Sequence, residues 1–206
     1  MIQFTFGKEL MKKFGNIIYN YYLKAFTKHY RRYYIRGYGE GMKSTDLQKY
    51  MQECMDDIKV MDTAYTLWCK CANRDGYDEL AIDILRFVKE RTIYKGDMKV
   101  WKTSEYWQTA RQTLDMKTGD CEDGAILILS LARLCGIPQN RIFLNCGYMI
   151  NGGSHAYVTY RGDNTHNYIL DWCAYYDRRR IPGHKTVADT RYKKPWWFGN
   201  DGGFYK

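Results

Sequence analysis

The stretch KTGDCEDGAILIL, residues 117–129, predicts the start of a buried helix whose first residue is a cysteine. Asp120 suits the N-cap position, and Asp123 follows three residues later, as in a capping box. Apolar residues then cover nearly every face of the predicted helix between positions 125 and 134. We therefore expect this helix to lie inside the protein, with Cys121 at its N-terminal end.

The pattern changes after this helix, which we expect to end near Cys135 because Gly136 and Pro138 follow. Upstream, residues 45–100 have mostly helical patterns, whereas the downstream segments are rich in aromatic and β-branched residues, as strands are. Helices followed by an antiparallel sheet predict an α+β fold, with the cysteine-bearing helix packed on the sheet. The predicted strands are RIFLNCGYM (141–149), SHAYVTYR (154–161) and HNYILDWCAYY (166–176).

The last two predicted strands bring a histidine next to a carboxylate. A turn centred on Asp163 pairs Thr159 with Asn167 and His155 with Asp171. Directly opposed residues share a sheet face, with Cβ atoms about 5 Å apart. A histidine and a carboxylate on one face, beside a cysteine on a packed helix, can act as the base, orienting group and nucleophile of a thiol enzyme.

The acidic neighbours of Cys121 bear on whether its thiol ionises. Asp120, Glu122 and Asp123 disfavour a thiolate through like charge. The positive end of the helix dipole and a nearby imidazolium from His155 favour it. We expect the dipole and the imidazolium to prevail, which would make Cys121 reactive. The alternative is an inert structural thiol.

These segments resemble the transglutaminase-like cysteine proteinase superfamily, especially its small bacterial and bacteriophage members. The resemblance covers roughly residues 80–175 and is carried by the motifs GDCED, GIP, HA and LDW, in that order. It implies a papain-like core and a catalytic triad of Cys121, His155 and Asp171. It also implies a thioester intermediate, used either for hydrolysis or for acyl transfer to an amine.

The same resemblance implies groups that support the nucleophile. The backbone N–H of Cys121 and a side chain from the preceding segment would bind the oxyanion, with Gln108 and Trp107 as the candidates. We expect no metal and no other cofactor. Calcium stays open, because some members of the superfamily bind it near the cysteine, whereas helix capping by Asp120 and Asp123 is the simpler interpretation.

The positive charge of the chain is concentrated at one end. The net charge is +9, and residues 1–45 carry nine Lys or Arg against two Glu, or +7. We predict a basic, tyrosine-rich helical arm over residues 1–44. The arm could bind nucleic acid, an anionic membrane surface, an acidic protein or a virion subunit, or could pack on its own domain.

We expect residues 45–206 to form one transglutaminase-like domain. It comprises a helical lead-in (45–100), a catalytic core (101–176) and a loop-rich C-terminal segment (177–206). We interpret the chain as a thiol hydrolase or acyl transferase that acts on a peptide or isopeptide amide. The alternative is a structural or assembly protein, such as a phage virion component, which uses the fold as a scaffold and docks through its basic arm.

The expected location is intracellular, with incorporation into a phage particle as a further option. The sequence contains seven cysteines without framework spacing, no apolar run of membrane-spanning length and no secretory signal pattern.

Overall fold

The computed structural model describes residues 44–71, 76–150, 153–173, 184–185 and 191–205. Within these ranges there are six α-helices and eight strands. The helices are α1 (Ser44–Met55), α2 (Ile58–Cys71), α3 (Asp78–Arg91), α4 (Asp97–Val100), α5 (Ala110–Met116) and α6 (Cys121–Leu134). The strands are β1 (Ile93–Tyr94), β2 (Thr118–Gly119), β3 (Ile142–Met149), β4 (Ser154–Arg161), β5 (Asn167–Leu170), β6 (His184–Lys185), β7 (Tyr192–Asn200) and β8 (Gly203–Tyr205).

Helix α6 forms the centre of the domain. It begins at Cys121, directly after Asp120 in the N-cap position, and residues 122–132 are all buried. Gly136 adopts a φ of +91°, the left-handed conformation that ends many helices and that a glycine adopts without strain. The helix that the sequence predicts is therefore present, buried and bounded as expected.

Two layers enclose α6. On one side lie β3 and β4, and on the other sides lie α1, α2, α3 and α5. The main sheet is six-stranded and antiparallel, with the strand order β6-β5-β4-β3-β7-β8. Strands β1 and β2 form a separate parallel pair. The prediction of an α+β fold with the cysteine-bearing helix packed on an antiparallel sheet is confirmed.

The predicted register of the β4–β5 hairpin is wrong by two residues. The structure pairs Thr159 with Ile169, whereas a turn centred on Asp163 would pair it with Asn167. Asp163 instead forms tertiary contacts, since its carboxylate accepts the N–H groups of Tyr77 and Asp78 at 2.7 and 3.1 Å. The turn consequently moves along the chain, and a shift of two residues leaves every side chain on its predicted face.

The prediction of a loop-rich segment over residues 177–206 is wrong for residues 192–205. Strand β7 pairs with the central strand β3, and β8 pairs with β7. Pro195 and Gly199 give this segment the composition of a loop. The register shifts on either side of Gly147, which Pro195 opposes, and such irregularities are where a sheet accommodates a proline.

The predicted basic arm of residues 1–44 lies outside the described residues, except that Ser44 begins α1. Its helical structure and its binding partners stay predictions. In the part of the chain that the structure describes, none of the helices has the length and apolar character needed to cross a membrane.

Candidate active site

His155 and Asp171 are joined by a short hydrogen bond on the sheet face opposite to the one that carries the core residues Val158 and Leu170. The His155 Nε2 and Asp171 Oδ2 atoms lie 2.6 Å apart. The histidine side chain is 13% exposed and the carboxylate is fully buried. Because of the shifted register, the two residues are diagonal neighbours on adjacent strands rather than direct partners. A histidine side chain can still span the distance between diagonal neighbours.

Four hydrogen bonds hold the Asp171 carboxylate. Its Oδ2 atom also accepts the Tyr192 hydroxyl at 2.6 Å, and its Oδ1 atom accepts the Cys173 N–H and thiol at 3.1 and 3.3 Å. Burial by itself would raise the pKa of Asp171, but the hydrogen bonds from His155 and Tyr192 hold that pKa below its ordinary value. The group next to the imidazole is therefore a carboxylate anion.

Cys121 lies against the strand that carries the histidine. The backbone N–H of Ala156, the residue after His155, lies close enough to the Cys121 sulfur to lower the pKa of its thiol. The carbonyl of Cys121 accepts the Trp172 Nε1–H at 3.3 Å, and Trp172 directly follows Asp171. The N-terminal end of α6 therefore lies against the residues that directly follow His155 and Asp171.

The protonation state of the thiol differs from the sequence-based expectation. Burial and the nearby Glu122 carboxyl raise the pKa of Cys121 well above its ordinary value, although the Ala156 N–H opposes them. The Cys121 Sγ atom lies 3.1 Å from Glu122 Oε2, a distance suited to a thiol donating its proton. The prediction that the helix dipole and His155 prevail is therefore wrong for this structure, in which the resting cysteine is a thiol.

A group of buried carboxyls, which we call the acidic cluster, lies next to Cys121. Burial is the main cause that raises their pKa values, followed for most of them by repulsion from neighbouring carboxylates. The pKa is raised to about 10 for Glu122, about 8 for Asp123 and about 6 for Asp97. Burial also raises the pKa of Asp120, the fourth member of the cluster.

The acidic cluster fits a hard cation. Three of its buried oxygens have no hydrogen-bond partner: Asp97 Oδ1, Asp120 Oδ1 and Glu122 Oε1. Carboxylate oxygens of Asp97, Asp120 and Asp123 lie within 4.8 Å of one another, and those of Asp97, Glu105 and Glu122 form a second such group. Oxygen ligands of this kind suit Ca²⁺, so calcium binding, which the sequence left open, has physical support.

Both predicted cap residues nevertheless take part in a capping box at the start of α6. Asp123 accepts the backbone N–H of Asp120 at 3.1 Å and the backbone N–H of Gln108 at 2.7 Å. Asp120 occupies the N-cap position, but one of its carboxylate oxygens has no partner. Capping and cation binding therefore use different oxygens and are compatible.

The two oxyanion candidates have different environments. The Gln108 side chain is completely buried, and both atoms of its amide lack a hydrogen-bond partner. The Trp107 indole N–H instead donates to Glu105 at 2.7 Å. Gln108 therefore has an uncommitted donor, whereas the indole of Trp107 is already engaged.

Sequence reasoning missed three residues of this site. Tyr192 lies in a segment that was expected to be a loop, and Asp97 lies in the helical lead-in, so no local pattern links either residue to Cys121. Trp172 belongs to the LDW motif, which indicated its presence but not its contact with the Cys121 carbonyl. Cys173 follows Asp171 by two residues, and its thiol contacts the Asp171 carboxylate.

Comparisons with known proteins concern the fold and the range of the similar domain. A family model described as the CEP76 peptidase-like domain matches residues 105–181, a range that contains Cys121, His155 and Asp171. No curated protein sequence is significantly similar to the chain.

Solved structures of LapG from Legionella pneumophila have a similar fold. The EGTA-treated form is 18% identical, with a TM-score of 0.55, over 80% of this chain and 85% of that chain. The calcium-bound form is 17% identical, with the same TM-score of 0.55, over 80% of this chain and 87% of that chain. The chain therefore has the transglutaminase-like cysteine peptidase fold, as its motifs predict.

Proposed function

We propose that this protein is a thiol hydrolase that cleaves a peptide or isopeptide amide, with Cys121 as nucleophile, His155 as base and Asp171 as the orienting carboxylate. The observation that carries the proposal is the 2.6 Å hydrogen bond between His155 Nε2 and Asp171 Oδ2, beside the strand position that contacts the Cys121 sulfur. A buried carboxylate paired with a histidine next to a thiol is the arrangement that thiol catalysis requires.

The hydrogen bond assigns different tasks to the two nitrogens of His155. Because Nε2 is engaged by Asp171, Nδ1 is the nitrogen available to the Cys121 thiol. The thiol proton moves to Nδ1 as the sulfur attacks the amide carbonyl carbon, which leaves a tetrahedral oxyanion. The Cys121 backbone N–H and the uncommitted amide of Gln108 would donate to that oxyanion.

The intermediate then collapses to a thioester. The scissile C–N bond breaks, and the departing amine takes the proton from the His155 imidazolium. A water molecule next gives a proton to His155 and attacks the thioester carbonyl. The C–S bond then breaks, the carboxylic acid leaves, and the His155 imidazolium returns its proton to the Cys121 sulfur. An amine that attacked in place of water would yield acyl transfer. We favour hydrolysis because it is the commoner use among the small proteins that this chain resembles.

The thiol has to ionise before it attacks, and the structure supplies an obstacle to that step. Burial and Glu122 raise the pKa of Cys121, and the Glu122 carboxyl accepts a hydrogen bond from the thiol. We propose that Asp97, Asp120 and Glu122 hold a Ca²⁺ ion, by analogy with the calcium-bound form of LapG. When bound, Ca²⁺ would offset the negative charge of the acidic cluster and so favour the thiolate.

The buried, protonated thiol also favours one alternative, a structural or assembly protein that retains the fold without using its chemistry. In that alternative, the basic residues 1–44 would bind nucleic acid, an acidic protein or a virion subunit. That binding, an intracellular location and a place in a phage particle stay predictions.

The experiment that separates the two functions is alkylation of the native protein with limiting iodoacetamide, followed by mapping of the modified cysteines. Cys69 is the internal reference because it is an exposed free thiol of the same chain. At about pH 6.5, some two units below the ordinary thiol pKa of about 8.5, an unactivated cysteine reacts slowly. We expect Cys121, with calcium present, to react at least about tenfold faster than Cys69.

The His155→Ala variant should lose this advantage while Cys69 keeps its rate. If Cys121 reacts more slowly than Cys69 with and without calcium, and His155→Ala changes nothing, the hydrolase proposal is wrong and the scaffold alternative stands. Once the nucleophile is established, cleavage of a peptide library would identify the amide bond that the protein accepts.

A further inference from the structure

We propose that Tyr192 is a positioning residue of the catalytic set, which fixes the Asp171 carboxylate and, through it, the imidazole of His155. This inference rests on the proposed thiol hydrolase function. Tyr192 lies outside residues 105–181, which the family model matches, and outside the segment that resembles the superfamily. The inference therefore adds a residue to the proposed catalytic set.

The first support is the hydrogen bond itself. The Tyr192 hydroxyl donates to Asp171 Oδ2 at 2.6 Å, and the same oxygen lies 2.6 Å from His155 Nε2. The carboxylate is fully buried, so no solvent molecule at the surface can replace a lost donor. Two donors on Oδ2 and the Cys173 donors on Oδ1 together prevent the carboxylate from rotating about its Cβ–Cγ bond.

The second support is the tautomer that this arrangement imposes. With the Tyr192 hydroxyl and the His155 nitrogen both directed at Oδ2, that oxygen acts as an acceptor and has no room for a proton of its own. The ring proton of His155 is therefore kept on Nε2. Nδ1 is left with a free lone pair, which is the state that can take a proton from Cys121.

The third support is the packing of the rings. The Tyr192 ring lies 4.6 Å from the Tyr157 ring and 6.3 Å from the His155 ring, measured between centroids. Tyr157 in turn stacks on His155 at 6.2 Å with an interplanar angle of 19°. Tyr192 and Tyr157 thus flank the imidazole and limit the rotation of its ring.

The backbone holds Tyr192 in place for this role. In the pairing of β7 with β3, Tyr192 is opposite Met149, and the Ile150 N–H donates to the Arg191 carbonyl at 2.7 Å. The hydroxyl is therefore presented by a strand of the main sheet rather than by a loop, and positioning groups on regular elements are held most accurately.

The test is the Tyr192→Phe variant, which removes the hydroxyl and keeps the ring. Its matched control is Tyr160→Phe, because the Tyr160 hydroxyl also donates to an aspartate, Asp78 Oδ1, at 2.8 Å, but at a distance from the site along β4. Each variant removes a tyrosine–aspartate hydrogen bond made from a strand of the main sheet, and Tyr160→Phe also removes the acceptor of a 3.4 Å bond from Arg141. An effect that comes from stability alone should therefore appear at least as strongly in the control.

Two readouts are compared. The first is the rate at which iodoacetamide alkylates Cys121, which we expect to fall about tenfold in Tyr192→Phe and to stay at the wild-type value in Tyr160→Phe. The second is the low-field proton NMR signal of the hydrogen bond between His155 and Asp171, identified by its loss in His155→Ala. We expect this signal to disappear in Tyr192→Phe and to persist in Tyr160→Phe.

The NMR signal does not depend on catalysis, so it tests the positioning of Asp171 even if Cys121 proves no more reactive than Cys69. The proposed hydrolase function would then fail while the inference about Tyr192 is judged separately. Wild-type rate and signal in Tyr192→Phe, or equal losses in both variants, would overturn the inference.

Discussion

Gly124 is the position where a single methyl group should disturb both the core and the site. It lies in the first turn of α6, directly beneath the indole of Trp172. A Cβ atom built on Gly124 would lie 2.1 Å from Trp172 Nε1, 2.3 Å from Cε2 and 2.5 Å from Cδ1. Real Cβ atoms essentially never approach closer than 3.0 Å, and ordinary contact begins at 3.4 Å, so the indole would have to move by 1.3 Å (3.4 minus 2.1).

The indole has little room to move, because Trp172 is only 4% exposed. Overpacking of a buried position costs about 1–3 kcal/mol. Loss of the hydrogen bond from Trp172 Nε1 to the Cys121 carbonyl adds about 1 kcal/mol. Alanine gains up to about 1 kcal/mol over glycine inside a helix, which offsets part of this cost. The clash therefore prevails, and Gly124→Ala should lower the free energy of unfolding by about 1–3 kcal/mol.

The assay is thermal unfolding followed by circular dichroism. A loss of this size lowers Tm by about 2–12 °C for a chain of this length. Since Trp172 directly follows Asp171, the rate of Cys121 alkylation should fall as well. Gly96→Ala is the control, because a Cβ atom there meets nothing within 4 Å and the φ of −68° suits alanine. If Gly124→Ala proves as stable as Gly96→Ala, the close packing of Trp172 on α6 is wrong.

Three further outcomes are expected. In EGTA, Tm should fall as the pH rises from about 4 to 8, because the folded acidic cluster keeps protons that the unfolded chain releases. Calcium should raise Tm most at the upper end of this pH range. A Tm that rises with pH in EGTA would contradict this. Asp171→Asn should slow Cys121 alkylation at least about tenfold, since an amide cannot stabilise an imidazolium; an unchanged rate would exclude this carboxylate from the site. Arg133→Met should lower the free energy of unfolding by about 1–3 kcal/mol in chemical denaturation, since Arg133 donates two hydrogen bonds to Asp201, at 2.7 and 3.1 Å. Unchanged stability would show that this ion pair contributes nothing.

The sequence was most informative where short-range rules apply. Capping residues, apolar periodicity and a terminal glycine defined α6 to within one residue, because these signals act between positions a few residues apart. The faces of His155 and Asp171 were also predictable, since side chains in a strand alternate with a period of two. That is why the contact between His155 and Asp171 survived an error of two residues in the register.

Other features depend on contacts between distant parts of the chain. The β4–β5 register was decided by Asp163, which binds the N-terminal end of α3 instead of centring the turn. Strand β7 formed from a proline-containing segment because β3 offered it a pairing edge. Tyr192 entered the site only through that pairing.

The sequence by itself determined the buried helix that begins at Cys121, the α+β class and the pairing of His155 with Asp171. Only the tertiary structure decided the state of the thiol and the gathering of the acidic cluster. The physical reason is desolvation: a side chain's pKa depends on everything packed around it, and Cys121 is surrounded by groups that lie far apart in the sequence. Local sequence patterns predict which residues can come into contact, and burial in the folded core determines their protonation states.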